Sequence, residues 1–406
     1  MGDAPAALAA AAKVIEAEYR SPYLNHATME PQTCTAWFRA DGFLEVWTST
    51  QNGEASMAAA AEASGLPLGR IEVHKRMLGG GFGRRGGPQD FVTQGVTIAR
   101  AMRGVPVKLM WSREEDMQHG FYRPASIVRM KAGLDAQGHL TSIHARIACP
   151  SILKVLMPQA LKQDGIDFTA VRTLSDMPYA VPNQQVDYAM RNGHVPVGFW
   201  RAPGQQNGFY RECFLDELAV AAGRDPVEYR LAMLKPGDKN RLVLEAAAKA
   251  AGWGTTPAPG VHRGVAVVDG FGSYAAMVAE VSVSPAGALK VHRIVVAVDS
   301  GHVVNPDTCR AQAESNVLYG LGSVLNQEIN VKNGRVAESN FHDFPLPRIA
   351  DMPQVDTVLV PTGGFWGGHG EPAILPLAPA VCNAIYSATG KRIRSLPLSR
   401  HDLRRA

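Results

Sequence analysis

At 406 residues the chain is long enough to bury a full core and to divide into two domains. It is 46% hydrophobic and 19% charged, the balance of an ordinary globular protein rather than a disordered or fibrous one. A net charge of +4, with no basic run interleaved with aromatics, argues against a nucleic-acid partner.

The N-terminal stretch MGDAPAALAAAAKVIEAEYR is Ala-rich, with no basic segment ahead of its apolar run. It does not read as a signal peptide, and no apolar stretch is long enough to suggest a membrane span. FLEVWTST alternates as a strand does, and ASMAAAAEASG reads as a helix ended by Gly65. RIEVHKRML is strand-like and runs into GGGFGRRGG; PQDFVTQGVTIARAMRG has helical spacing, and VPVKLMWS reads as a buried strand. SIVRMKAGLDAQGHLTSIHARI reads as a hairpin turning at DAQG. In GFYRECFLDELAVAAGR the spacing directs Phe214, Leu215, Leu218 and Val220 to one helix face, with a stop at Gly223. Asp225-Pro226-Val227-Glu228 then supplies an N-cap, an N1 proline and a capping-box glutamate.

The Gly/Pro/Thr-rich GWGTTPAPGVHRG, residues 252–264, marks a linker between a first domain, 1–251, and a second, 265–406. Two hairpins follow, turning at SPAGA and at Asn333-Gly334, with helices over DTCRAQAESNVLYGLGSVL and APAVCNAIYSATG. Hairpins mixed with helices, without a strict βαβ rhythm, predict an α+β fold.

Glycine makes up 40 residues, above the usual share of about 7%, and it clusters between periodic segments. Gly81-x-Gly83-x-x-Gly86 matches a dinucleotide fingerprint, with a strand before it and a helix after it. Two adjacent arginines and Pro88 sit where that helix should begin, so an NAD-binding oxidoreductase is one alternative and a structural glycine turn another. Arg201 in GFWRAPG is either an ion pair before a helix or an anion donor beside an aromatic wall. Gln51 and Gln312 are neutral amides at element ends, and alone each reads more readily as a satisfied surface or turn residue than as a ligand contact. His369 could act as a base but has no adjacent carboxylate. In GGFWGGHGEP, Phe365, Trp366 and the glycines are expected to desolvate Glu371 and raise its pKa toward the range of a general base. The plainer reading makes Glu371 a helix N-cap with Pro372 at N1. The five cysteines, Cys34, Cys149, Cys213, Cys309 and Cys382, show no C-x-x-C spacing and read as separate packed thiols, and the histidines show no metal-ligand spacing.

Taken together and in this order, YLNHATMEPQTCTAWF, TSTQNG, RMLGGGFGRR, GFWRAPG, AVDSGHVVNPDTCRAQ and GHGEPAILPLAPAVCNAI resemble the molybdenum-binding large subunit of the xanthine dehydrogenase/aldehyde oxidase family. The likeness is to the branch of that family formed by the isoquinoline 1-oxidoreductase β-subunit, and it covers about residues 20 to 400. It implies two molybdopterin-binding domains. Gly81, Phe82 and Gly83 would pack against a molybdenum–pterin centre, and Gln51 would hydrogen-bond the metal's oxo ligand. Trp200 and Arg201 would touch the cofactor beside the substrate, Gln312 the pterin, and Glu371, after Gly370, would be the base. The implied reaction is hydroxylation of an N-heteroaromatic, or oxidation of an aldehyde, with water as oxygen source. The pterin's dithiolene, in the cytosine dinucleotide form, would hold the metal without protein ligands, and electrons would pass to a 2Fe-2S partner subunit. Xanthine-oxidising members carry an acid shortly after GGFG; here arginines and glycines stand there, which counts against purines. The family's M-G-Q-G pterin loop and small β-rich domain are not visible, which implies a second chain carrying that half. A non-catalytic scaffold remnant is the remaining alternative.

Overall fold

The computed structural model describes residues 1–405. The first strands are β1 (Lys13–Ser21), β2 (Thr33–Phe38) and β3 (Leu44–Thr48); helix α1 (Gly53–Ser64) follows, closed by Gly65 at φ 74°. Next come β4 (Ile71–Lys75), α2 (Asp90–Ala101) and β5 (Val107–Met110). These form a mixed sheet in the order β4-β3-β2-β5, in which only β3 and β4 run parallel. The strict alternation of β2 points Cys34, Ala36 and Phe38 at α1 and α2, where they join Val46, Phe91 and Val96 in one core. The alternate residues of β2, β3 and β5, on the opposite face, are half-buried or exposed. The expectation of a buried strand at VPVKLMWS is therefore corrected: β5 is an edge strand half-buried on one face, and Met110 is 63% exposed.

The second sheet has the order β1-β6-β7-β8, with β6 (Ser126–Leu134) and β7 (Leu140–Cys149) joined by the expected hairpin and β8 (Asn183–Met190) parallel to β7. Helices α3 (Gln205–Ala221), α4 (Pro226–Met233) and α5 (Lys239–Ala250) follow. The third sheet, β14-β11-β10-β9, is built from the hairpins of β9 (His262–Gly270), β10 (Ser273–Val283) and β11 (Leu289–Asp299). Helix α6 (Pro306–Leu325) and the two-residue strands β12 (Val331–Lys332) and β13 (Arg335–Val336) lead to β14 (Gln354–Leu359), and α7 (Leu377–Thr389) closes the chain. The β12–β13 turn takes positive φ at both Asn333 and Gly334, the two-residue hairpin geometry those residues favour.

Helices α3 and α7 join the second and third sheets in the largest core cluster, which runs from Ala17 to Leu403. A Cβ at Gly264 would collide with the α7 backbone at Ala384, so glycine lets that helix lie directly on β9. Because α3 is enclosed, it is buried on all sides through Ala219, and the single apolar face expected for it does not hold. Val220, placed on that face from spacing, is 43% exposed in the last turn. Asp225 caps α4 through the Val227 and Glu228 amides, without a reciprocal bond from the Glu228 side chain. Inside the core Glu212 takes charge-assisted bonds from Arg211 (3.0 Å) and Arg230 (2.9 Å), all three side chains fully buried. Among the described residues no helix is long and apolar enough to cross a membrane.

Candidate functional site

Past β4 the chain enters the glycine loop, and Gln51, just beyond β3, fixes its shape. The Gln51 Oε1 accepts from the Gly83 amide at 3.0 Å and the Arg85 amide at 3.3 Å, and a Cβ at Gly81 would lie 2.5 Å from it. Gly83, at φ 106°, presses on the Phe199 carbonyl where no side chain would fit. The glycines therefore serve close packing. A dinucleotide site would need a helix opening at the motif within a parallel sheet. Here α2 begins only at Asp90, after Gly86 has been left behind, and the sheet is mixed. Arg84 and Arg85 turn inward: Arg84 forks onto Asp90 with two 2.9 Å bonds, and Arg85 donates to the carbonyls of Gly80, Ser49 and Glu30. These contacts remove the basis for the NAD-binding alternative.

Phe82, at φ 55°, stacks on Tyr319 with ring centroids 4.3 Å apart, and Trp200 stacks on the same tyrosine at 5.0 Å. Trp200 Nε1 donates to the Asn25 carbonyl and Tyr319 to that of His26, so a fourth segment is pinned to a stack built from three. His26 Nε2 donates to the Phe199 carbonyl at 2.7 Å, and burial pushes its pKa down to about 3, leaving it neutral.

Arg201, 7% exposed, is neither a surface ion pair nor a free donor. Its Nε donates to the Gly370 carbonyl (2.7 Å), and its two terminal nitrogens to Ser315 Oγ (3.0 Å) and Gln312 Oε1 (3.2 Å). This one side chain ties the aromatic stack to α6 and to the loop that carries Glu371. The amide nitrogens of Gln51 and Gln312 have no acceptor among the described residues, which leaves two neutral donors at the same place.

Glu371 does stand at the N-cap of a short turn, Pro372–Ile374, but its side chain caps nothing. Its carboxylate lines a cavity of about 340 Å³ with Gly83, Phe168, Thr169, Arg172, Phe199, Trp200, Pro203 and Phe271. Burial raises its pKa above the usual carboxylate range, opposed by Arg201 and then Arg172. The walls that dry it are not those expected. Phe365 and Trp366 are 72% and 61% exposed, because their loop swings outward between amide bonds from Gly363 to the Gly301 carbonyl and from Gly367 to the Ser300 carbonyl. Trp366 instead stacks on His302 at 4.2 Å. His369 bonds Ser300 Oγ at 2.5 Å, and burial lowers its pKa, so it is a neutral support for the loop.

Sequence reasoning thus singled out Gln51, Gly81, Phe82, Gly83, Trp200, Arg201, Gln312, Gly370 and Glu371, and the structure brings them to one place. It missed Tyr319, Ser315, His26 and Arg172. Gln312, Ser315 and Tyr319 share one face of α6 at i, i+3 and i+7, a spacing that could have found the last two. Arg172, a lone arginine after the short helix Phe168–Val171, gave no signal.

A family model described as a molybdopterin cofactor-binding domain matches residues 1–234, and a second of the same description matches 238–353. The beta subunit of isoquinoline 1-oxidoreductase from Brevundimonas diminuta is 32% identical over 94% of this chain and 49% of its own length. One nicotinate dehydrogenase subunit, from Pseudomonas putida, is 30% identical over the whole of this chain and 36% of its own length. The chain therefore spans half or less of the length of these relatives. In structure, quinoline 2-oxidoreductase from Pseudomonas putida superposes at a TM-score of 0.85 over 97% of this chain and 76% of its own, with 14% identity, a likeness of fold.

Proposed function

This chain belongs to the xanthine dehydrogenase/aldehyde oxidase family of molybdenum-binding subunits, and on that premise we propose that it forms the substrate-binding and proton-transferring half of a molybdenum hydroxylase. The residues present fit the molybdenum–pterin group that its two domains bind. Among the described residues no cluster of His, Cys, Asp or Glu could hold a metal, which suits one carried on its own organic ligand. What the site offers is neutral hydrogen bonding and close approach. The free amide nitrogens of Gln51 and Gln312 would donate to oxo and pterin groups, and the Gly81-Phe82-Gly83 loop, held by Gln51, Tyr319 and the Phe199 carbonyl, would pack against them. At Gly368 and Gly370 an added Cβ would meet nothing within 4 Å, so the Glu371 loop leaves open space beside it. Trp200 and Arg201 hold these segments in register. When bound, the molybdenum–pterin supplies two-electron oxidation at carbon with water as the oxygen source; the cytosine dinucleotide form is part of the proposal.

The observation that carries the mechanism is the Glu371 carboxylate, without a hydrogen-bond or ion-pair partner among the described residues and raised in pKa inside an aromatic cavity. A carboxylate so placed takes the proton from the attacking water, the work of a general base. Phe168, Phe199, Trp200 and Phe271 give the cavity walls for a flat ring or an aldehyde. Purines are disfavoured, since Arg84 and Arg85 are turned inward and Glu371 is the one acid among the cavity's lining residues. Electrons would leave through a 2Fe-2S subunit, and a second chain would complete the cofactor site. The assembled complex, turned over on N-heteroaromatics and aldehydes in ¹⁸O-labelled water, is expected to place the label in the product, and this chain purified alone to hold less than one molybdenum. Unlabelled product would remove the hydroxylase reading, and full molybdenum in the lone chain the half-site.

A further inference from the structure

The sheet β1-β6-β7-β8 ends on an edge that the rest of the chain leaves open. In a strand the backbone groups of successive residues face opposite ways. The Arg191 amide, just past β8, bonds the Cys149 carbonyl at the end of β7, so the odd-numbered residues of β8 serve that neighbour and the even-numbered ones face outward. Gln184 meets Met1 on the outward side. The Met1 nitrogen donates to the Gln184 carbonyl at 3.0 Å and the Gln184 amide to the Met1 carbonyl at 2.8 Å, the double exchange of an antiparallel pair. From Met1 the chain turns away past Asn183, whose Oδ1 accepts from the Asp3 amide. The outward amides and carbonyls of Val186 and Tyr188 have no hydrogen-bond partner among the described residues. The edge of β9 shows how this chain closes an edge: its outward groups at Val265 and Val267 are taken by Asn383 of α7 and by Arg211 and Glu212 of α3.

Resting on the reading that a second chain completes the cofactor site, we propose that β8 is its docking edge: an extended segment of that chain adds a fifth strand to this four-stranded sheet, antiparallel to β8 alongside Val186 and Tyr188, in the line that Met1 begins. Main-chain bonds at those two residues supply affinity, and the side chains across the sheet set what the added strand carries. Ile127, Ala148 and Ala189 stand in one register row across β6, β7 and β8, and with Tyr188 they line a groove of about 300 Å³. The residue that extends this row opposite Ala189 is apolar. In the next row Asp187 accepts from His144 at 2.8 Å and pairs with Arg146 at 3.3 Å, so the one acid on this edge is already satisfied. The sequence of β8, NQQVDYAM, has neither proline nor lysine, the residues that guard an edge meant to stay free. The relatives, about two to three times as long as this chain, are long enough to contain the polypeptide that supplies such a strand.

Hydrogen exchange tests this on the wild-type chain alone and in complex with the co-expressed chain that carries the M-G-Q-G loop. The Val186 and Tyr188 amides are expected to exchange rapidly in the lone chain and at least about tenfold more slowly in the complex, as amides do on entering a strand ladder. Val186→Pro removes one outward donor and none that β7 uses. The variant is expected to keep the circular dichroism of the wild type while its affinity for the partner chain falls at least about tenfold. Equal exchange at both amides in the lone chain and the complex, or wild-type affinity in Val186→Pro, overturns the proposal. Protection that rises with the concentration of the lone chain assigns the edge to a second copy and also overturns it. A complex that hydroxylates in ¹⁸O-labelled water with both amides unprotected leaves the half-site reading standing without this edge. Protected amides in a complex that hydroxylates nothing keep the docking edge and sink the hydroxylase reading. If the two chains form no complex, both fail.

Discussion

A carboxyl group that caps nothing and pairs with nothing keeps its lone pairs for substrate or water, and Glu371 is placed that way by its neighbours. Pro372 starts a turn whose backbone needs no help from the Glu371 side chain, and Arg201, the first cation to oppose its raised pKa, spends its donors on Gly370, Ser315 and Gln312. Because its folded-state pKa is raised, the folded chain holds this proton more tightly than the unfolded one. The associated stability is fully present below the unfolded value of about 4.3 and is lost as pH rises through the folded value. Glu371→Gln is therefore expected to melt above the wild type at neutral pH, with the gap closing as pH falls toward about 4.3. Thermal unfolding across that window checks it, and a variant that melts below the wild type at pH 7 would show that the carboxylate has a partner after all.

Among the elements, the glycine loop and α6 do the positioning. The loop owes its path to Gln51 below and the Phe199 carbonyl beside it, the latter held by His26. Gly83→Ala would drive a Cβ into that carbonyl at a φ of 106°, so the variant is expected to fold with the loop displaced and to lose cofactor while keeping its secondary structure. Molybdenum content and circular dichroism together read this out, and retained molybdenum would contradict it. Much of this level was legible in the sequence. Gly65, the DAQG turn and Asn333-Gly334 carry their conformations locally, so the elements they bound were found. What was not legible depends on tertiary surroundings: the enclosure of α3 between two sheets, the edge position of β5, and the outward swing of Phe365 and Trp366. The aromatics that dry Glu371 come from segments about 170 to 200 residues upstream and from Phe271, which no spacing near Glu371 could reveal.

On the scale of the whole molecule, four segments that share no local sequence meet at one point. They are the end of β3 with the glycine loop, the approach to α3, one face of α6, and the loop between β14 and α7. Each brings a residue that would be an unremarkable glutamine, arginine or glutamate alone, which is why the joint order of motifs carried more than any one of them. The relatives matched are about two to three times as long as this chain, and we assign the rest of the cofactor site to a second chain as a proposal. The central claim is that Glu371 moves a proton and does not merely hold the cofactor. The most direct measurement is kcat for Glu371→Gln in the complex with partner subunits, with molybdenum content determined on the same sample. Turnover is expected to fall by about 10²–10⁴-fold at unchanged molybdenum; a wild-type rate at full molybdenum would contradict the account.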